Sequence, residues 1–250
     1  MKRSVSILVA VITAILNWYA FAQIGHWLKL QDPNFFATVI LATVVVHELG
    51  HLIFLEANGI KTHLIFLVIM GGAVPDASCK NKLDNLPWSK KAAIYLAGVS
   101  GNLIVVIVFA ILAAAGNITI TQLEGVVNIS GNLILYNLLP LWIFDGGHFA
   151  KVLFNSISED RDGYFVWAIG ITFFIMTILM AILSAQVFFM TAIWLFWGLQ
   201  FQAKHDDPEG SYNKLAMTKN QQRNWGIYYA FLLILGLVFM STTRVWLKTF

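Results

Sequence analysis

Seven apolar runs, each about long enough to cross a bilayer, constrain this chain before any single residue does. They lie at roughly 5–28, 35–57, 92–115, 126–150, 164–183, 186–203 and 225–247 of 250 residues. A membrane's hydrocarbon core takes ~20 apolar residues in helical form, and a helix pairs its own backbone polar groups within the segment. The expected fold class is therefore an all-α polytopic membrane protein of about seven transmembrane helices. Charged residues make up 12% of the chain, half the ~25% of an ordinary globular domain. That excludes a soluble enzyme with a large core; the lipid bilayer is an expected partner and nucleic acid is not. The single cysteine, Cys79, excludes an intrachain disulfide and a cysteine-rich zinc site.

Basic residues orient the spans, because cytosolic loops carry the excess of Lys and Arg. With the N-terminus inside, 13 of the 16 basic residues fall in cytosolic segments, and only Lys29, Arg244 and Lys248 fall outside. The expectation is a multi-pass protein with a cytosolic N-terminus. Lys2, Arg3 and Ala20-Phe21-Ala22 also resemble a cleavable leader, but the apolar run continues to Leu28, so a retained helix is expected. The polar segments Asp76–Lys91 and Lys204–Asn224 are too short for another folded domain. The whole chain, 1–250, reads as one membrane-embedded domain, with a core at about 35–155 and flanking helices at 5–28, 164–183, 186–203 and 225–247.

Within the second run stands His47-Glu48-Leu49-Gly50-His51. Histidines at i and i+4 share a helix face, one turn apart, so both imidazoles can reach one ion. A Glu beside them is suited to take a proton from a metal-activated water. Ionisable groups at membrane depth are costly and mark functional interiors. A catalytic zinc site needs a third protein ligand. Asp145, the only acidic residue between Val126 and Ala150, is the candidate, in a segment that Pro140 and Gly146-Gly147 are expected to interrupt on both sides. By helix rise, the His47–His51 turn lies roughly 12 Å from its cytosolic span end and Asp145 roughly 8 Å from the same face. The two spans run in opposite directions, yet their polar groups arrive at similar depth.

With HExxH on one span and Asn137-x-x-Pro140 followed by Asp145-Gly146 two spans later, residues 35–150 resemble the site-2 protease family of intramembrane zinc metalloproteases. The resemblance implies one Zn2+ per chain held by His47, His51 and Asp145, with Glu48 as general base. It implies a three-helix catalytic core and a substrate that is a membrane protein with a transmembrane segment, cleaved toward the cytosolic side in regulated intramembrane proteolysis. The last three spans match no motif of that family.

Other positions keep two readings. Gly71-Gly72 closes an apolar run, Leu64–Met70, too short to span. It reads as an interfacial loop or as a re-entrant strand whose edge pairs with unwound substrate. Asn102 reads as interhelical glue or, by the resemblance, as a holder of substrate backbone. Asn137, inside the motif, is suited to steady a carbonyl or a developing oxyanion. Gly98 and Gly101 read as packing positions. His148 is left out of the ligand set, and His26, His63 and His205 read as solvated. A metal-ion transporter and a non-catalytic membrane scaffold are the rival functions. No paired broken helices of the transporter kind are visible, and a scaffold has no need of the His-Glu-His-Asp set.

Overall fold

The computed structural model describes residues 3–67, 70–139, 144–155 and 217–241. The expected fifth and sixth spans, 164–183 and 186–203, lie outside them. The described chain forms α1 (Arg3–Trp27), α2 (Pro33–Ala57), β1 (Thr62–Leu67), β2 (Met70–Pro75), a 3-10 turn (Ala77–Cys79), α3 (Lys80–Asp84), α4 (Trp88–Ala114), α5 (Ile120–Leu138), α6 (Asp145–Asn155) and α7 (Lys219–Ser241). Among the described residues, three helices, Ser6–Trp27, Pro33–Ala57 and Trp88–Ala114, are long and apolar enough to cross a membrane. The residues fall into two compact units. One takes in the chain up to Asn85, Ala97–Ile134 and residues from Ile234 on; the other takes in Leu86–Leu96 and residues from Leu135 to Leu233.

In the first unit, α2 starts where its sequence says it should. Asp32 caps it by accepting the Phe35 backbone N–H at 3.0 Å, and Pro33 fills the first turn, where its missing N–H costs nothing. α1 packs on α2 through Phe21, Ala22 and Ala37, and the Trp18 indole N–H donates to the Thr38 hydroxyl at 3.0 Å. The opposite side of α1 carries exposed Ile7, Leu8, Val11, Ile12, Ile15 and Leu16, as a face turned to lipid would. Val39 of α2, Val105 of α4 and Val126 of α5 form one buried cluster. Apolar burial drives little association inside a bilayer, so close packing has to. Gly50 and Gly101 supply it. A Cβ on Gly50 would collide with the Ala97 carbonyl, and one on Gly101 would lie 2.7 Å from the Val46 carbonyl oxygen.

Between α2 and α4 the chain departs from an all-helical fold. β1 and β2 pair antiparallel, with Ile65 opposite Gly72 and Phe66 opposite Gly71. β-branched and aromatic residues in Thr62–Leu67 suit a strand, and so short a run cannot make a spanning helix. The hairpin is closed at its base by the Asp76 N–H donating to the Lys61 carbonyl at 2.8 Å. There His63, expected to be solvated, is partly buried. Its Nδ1 shares a hydrogen bond with the Ser6 hydroxyl at 3.1 Å, and its Nε2 lies 3.2 Å from Asp76 Oδ2. Ser78 donates its hydroxyl (2.7 Å) and its backbone N–H (3.0 Å) to the other Asp76 oxygen. These bonds, the Ser78 hydroxyl first and His63 last, hold the Asp76 carboxyl well below the usual carboxylate range.

The expected span over 126–150, with interruptions expected at Pro140 and at Gly146-Gly147, is two helices. α5 stops at Leu138 and α6 starts at Asp145. Pro140 has no N–H to offer the Tyr136 carbonyl, and the Leu139 N–H takes that acceptor instead at 3.1 Å. The Gly146-Gly147 pair does not break the chain a second time, as the sequence suggested. Both residues sit in the first turn of α6, and the Phe144 carbonyl accepts from the N–H groups of Gly147 and His148 at 3.0 and 3.3 Å. Gly146 is needed for a different reason: a Cβ there would collide with the Leu138 carbonyl and lie 2.7 Å from the Leu138 Cα.

Candidate metal centre

α2 puts His47, Glu48 and His51 among its buried residues, at 4%, 7% and 7% exposure. One helical turn brings the two imidazoles into register. Their Nε2 atoms are 3.2 Å apart and their ring planes stand at 76°. Two nitrogens each ~2.05 Å from one zinc at a tetrahedral angle would be about 3.3 Å apart, so the pair is already spaced as two ligands of one ion. Asp145 is half-buried in the first turn of α6, where free backbone N–H groups and the helix dipole favour a carboxylate.

Space for an ion beside the histidines comes from α4. A Cβ on Gly98 would collide with His51 Nε2 and lie 2.7 Å from His47 Nε2 and 2.8 Å from His47 Cε1. Even one methyl group would fill the cradle beside the two Nε2 atoms. The sequence alone gives Gly98 a packing role; its place opposite the HExxH turn emerges only from how α4 crosses α2. The signal in the sequence was weak, a small-residue array at Ala97-Gly98 and Gly101.

The hairpin reaches Glu48. A Cβ on Gly71 would lie 2.7 Å from Glu48 Cγ and 3.1 Å from its Oε1, with Val44 at 3.0 Å. Gly72 meets only Val74, at 3.7 Å. The two glycines, paired in the sequence reading, are therefore unlike: Gly71 lets the strand lie against the acidic side chain, and Gly72 has room. Asn137 is half-buried in the last turn of α5. Asn102 is 0% exposed on α4, and neither atom of its amide has a hydrogen-bond partner among the described residues. His148 stacks on Tyr95, with ring centroids 5.0 Å apart and planes at 22°.

Two comparisons bear on this arrangement. Residues 35–122 match the model of peptidase family M50. A Synechocystis sp. protein whose name places it among the zinc metalloproteases is 31% identical over 132 residues, 50% of this chain and 33% of that protein. The aligned segment thus spans about a third of the length of the curated relative it matches.

Proposed function

We propose that this chain, whose residues 35–122 match the model of peptidase family M50, is an intramembrane zinc metalloendopeptidase of the site-2 protease kind. Its substrate class is a membrane-tethered protein cut in or near a transmembrane segment, and its output is a fragment released in regulated intramembrane proteolysis. The observation that carries this reading is the pair of His47 and His51, with Nε2 atoms 3.2 Å apart, beside a buried Glu48; Asp145 is the third ligand proposed from the sequence. The donor set, two imidazoles and one carboxylate, is of the kind found in zinc peptidases that keep a fourth position open.

In this reading His47 and His51 hold the ion through Nε2, and Asp145 closes the third side. When bound, zinc supplies Lewis-acid chemistry: it lowers the pKa of water and polarises a carbonyl oxygen. Glu48 takes the proton of the attacking water and passes it to the leaving amine. A transmembrane helix hides its carbonyls in i→i−4 bonds, so the substrate has to unwind at the cleaved bond. A strand edge is suited to receive unwound backbone, and the contact of Gly71 with Glu48 supports the hairpin as that edge. Asn137 is assigned to steadying the substrate carbonyl, and Asn102 and Gly72 to the substrate-binding surroundings. The seven-span topology with a cytosolic N-terminus, and cleavage toward the cytosolic side, belong to the same proposal.

The test uses purified chain, a membrane-tethered reporter and metal analysis. Wild type is expected to hold one zinc and to cleave, with chelator abolishing both. His47→Ala and Asp145→Ala are expected to lose zinc and cleavage together. Stoichiometric zinc in either variant would overturn the ligand assignment.

A further inference from the structure

Helix α7 reaches the end of α5 ahead of Asp145. α5 ends at Leu138, and carbonyls in the last turn of a helix have no donor within that helix. Leu138 is 0% exposed, so water cannot serve its carbonyl, and a buried acceptor left unpaired is strongly disfavoured. Tyr229 of α7 meets the need: its hydroxyl donates to the Leu138 carbonyl, across 91 residues of sequence. Its ring stacks on Phe149, with centroids 5.0 Å apart and planes at 11°. Phe149 is buried one turn after Asp145 on α6.

Tyr229 therefore grips both sides of the interruption, the end of α5 by its hydroxyl and the start of α6 by its ring. Gly146 presses against the same Leu138 backbone, so the residue that follows Asp145 is held to the point that Tyr229 anchors. We infer that Tyr229 is a positioning residue for the metal centre, fixing where the first turn of α6 presents Asp145. The inference rests on the reading of Asp145 as a zinc ligand. It gives α7, which carries no ligand and no motif, a role in the chemistry. The tyrosine suits the position because one side chain must supply both a donor and a flat apolar face; phenylalanine keeps the face and loses the donor.

The experiment compares the purified full chain with its Tyr229→Phe and Phe149→Leu variants, loaded with zinc or with cobalt. Tyr229→Phe is expected to bind zinc roughly 10-fold more weakly by chelator competition, the scale of a lost supporting contact near a metal ligand. Its cobalt absorption bands should shift, and reporter cleavage should fall in kcat with KM held. Phe149→Leu loosens the grip from the other side and should shift the same bands. Tyr228→Phe removes a neighbouring phenol and should match wild type. A merely structural tyrosine would lower thermal stability and leave the cobalt bands alone. Wild-type bands and zinc affinity in both Tyr229→Phe and Phe149→Leu would overturn the inference. Wild-type bands and affinity in Asp145→Ala would instead overturn the ligand reading beneath it.

Discussion

Gly98 lies so close over His47 that a methyl group on it would stand 2.7 Å from the Nε2 atom of that ring. A carbon cannot approach a ring nitrogen so closely, so one of the two has to move, and the imidazole would leave its position beside His51. Gly98→Ala is therefore expected to weaken zinc binding and to lower cleavage by about 10²-fold, the cost of displacing a reacting group by ~1 Å. Gly226→Ala, whose Cβ would meet nothing within 4 Å, should bind zinc like wild type. Equal zinc affinity in Gly98→Ala and wild type would show that the cradle has no part in holding the ion.

Gly71 makes a separable prediction. Its added methyl would press on the Glu48 side chain, at 2.7 Å from Cγ, and not on the histidines. Gly71→Ala should keep its zinc and lose activity in kcat, because the carboxylate is moved and the two histidines are not. Loss of zinc would place the hairpin's influence on the metal rather than on the base.

Glu48→Gln keeps size and shape and removes the carboxylate proposed to accept the proton. Zinc content and folding should persist while cleavage falls by ~10²–10⁴-fold, the usual range for general-base loss. Ion flux through vesicles, abolished by the same change in the absence of any proteolysis, would favour a transporter. A variant indistinguishable from wild type in every assay would favour a scaffold.

Topology can be read with reporter fusions. Fusions after Glu124 and Ser184 should report the outer side, and fusions at Asp160 and Gly210 the cytosol, given the division of 13 basic residues against 3. A cytosolic signal at Glu124 would refute the orientation.

The base of the hairpin should respond to Asp76. Asp76→Asn removes the charge that Ser78 and His63 hold in place, and hydrogen exchange in Thr62–Leu67 and Met70–Pro75 should speed up. The pH dependence follows from the depressed carboxyl. A carboxylate held low in the folded state contributes stability above its unfolded pKa of ~3.9, and loses it as pH falls through the folded value. Wild-type hairpin protection should therefore survive acidification to about pH 4. Parallel loss of protection in wild type and Asp76→Asn over that range would contradict the assignment.

The apolar runs at Ser6–Trp27, Pro33–Ala57 and Trp88–Ala114 and the HExxH turn were legible because both signals are local. A run's length decides whether it can span, and a spacing of four decides that His47 and His51 share a face. The course of the chain near Asp145 was only half legible. A proline announces a break by lacking an N–H, and Pro140 did so. A glycine pair announces only permission: both residues sit inside a helical turn rather than at a second break, and Gly146 uses its freedom for close approach to Leu138. The hairpin was visible as a segment too short to span, but its pairing register was not.

What the sequence determined alone was the list of chemically able side chains and the helices that carry most of them, since helix geometry converts spacing into direction without outside help. Which residues from distant segments meet them was decided by packing. Gly98 faces the histidines because α4 crosses α2 at glycine, Gly71 reaches Glu48 because a hairpin folds onto α2, and His63 finds Ser6 and Asp76 because α1 and the hairpin base converge. Tyr229 reaches Leu138 across 91 residues. No period or motif encodes those distances. They follow from close-packed side chains and from buried acceptors that must find a donor somewhere in the folded chain.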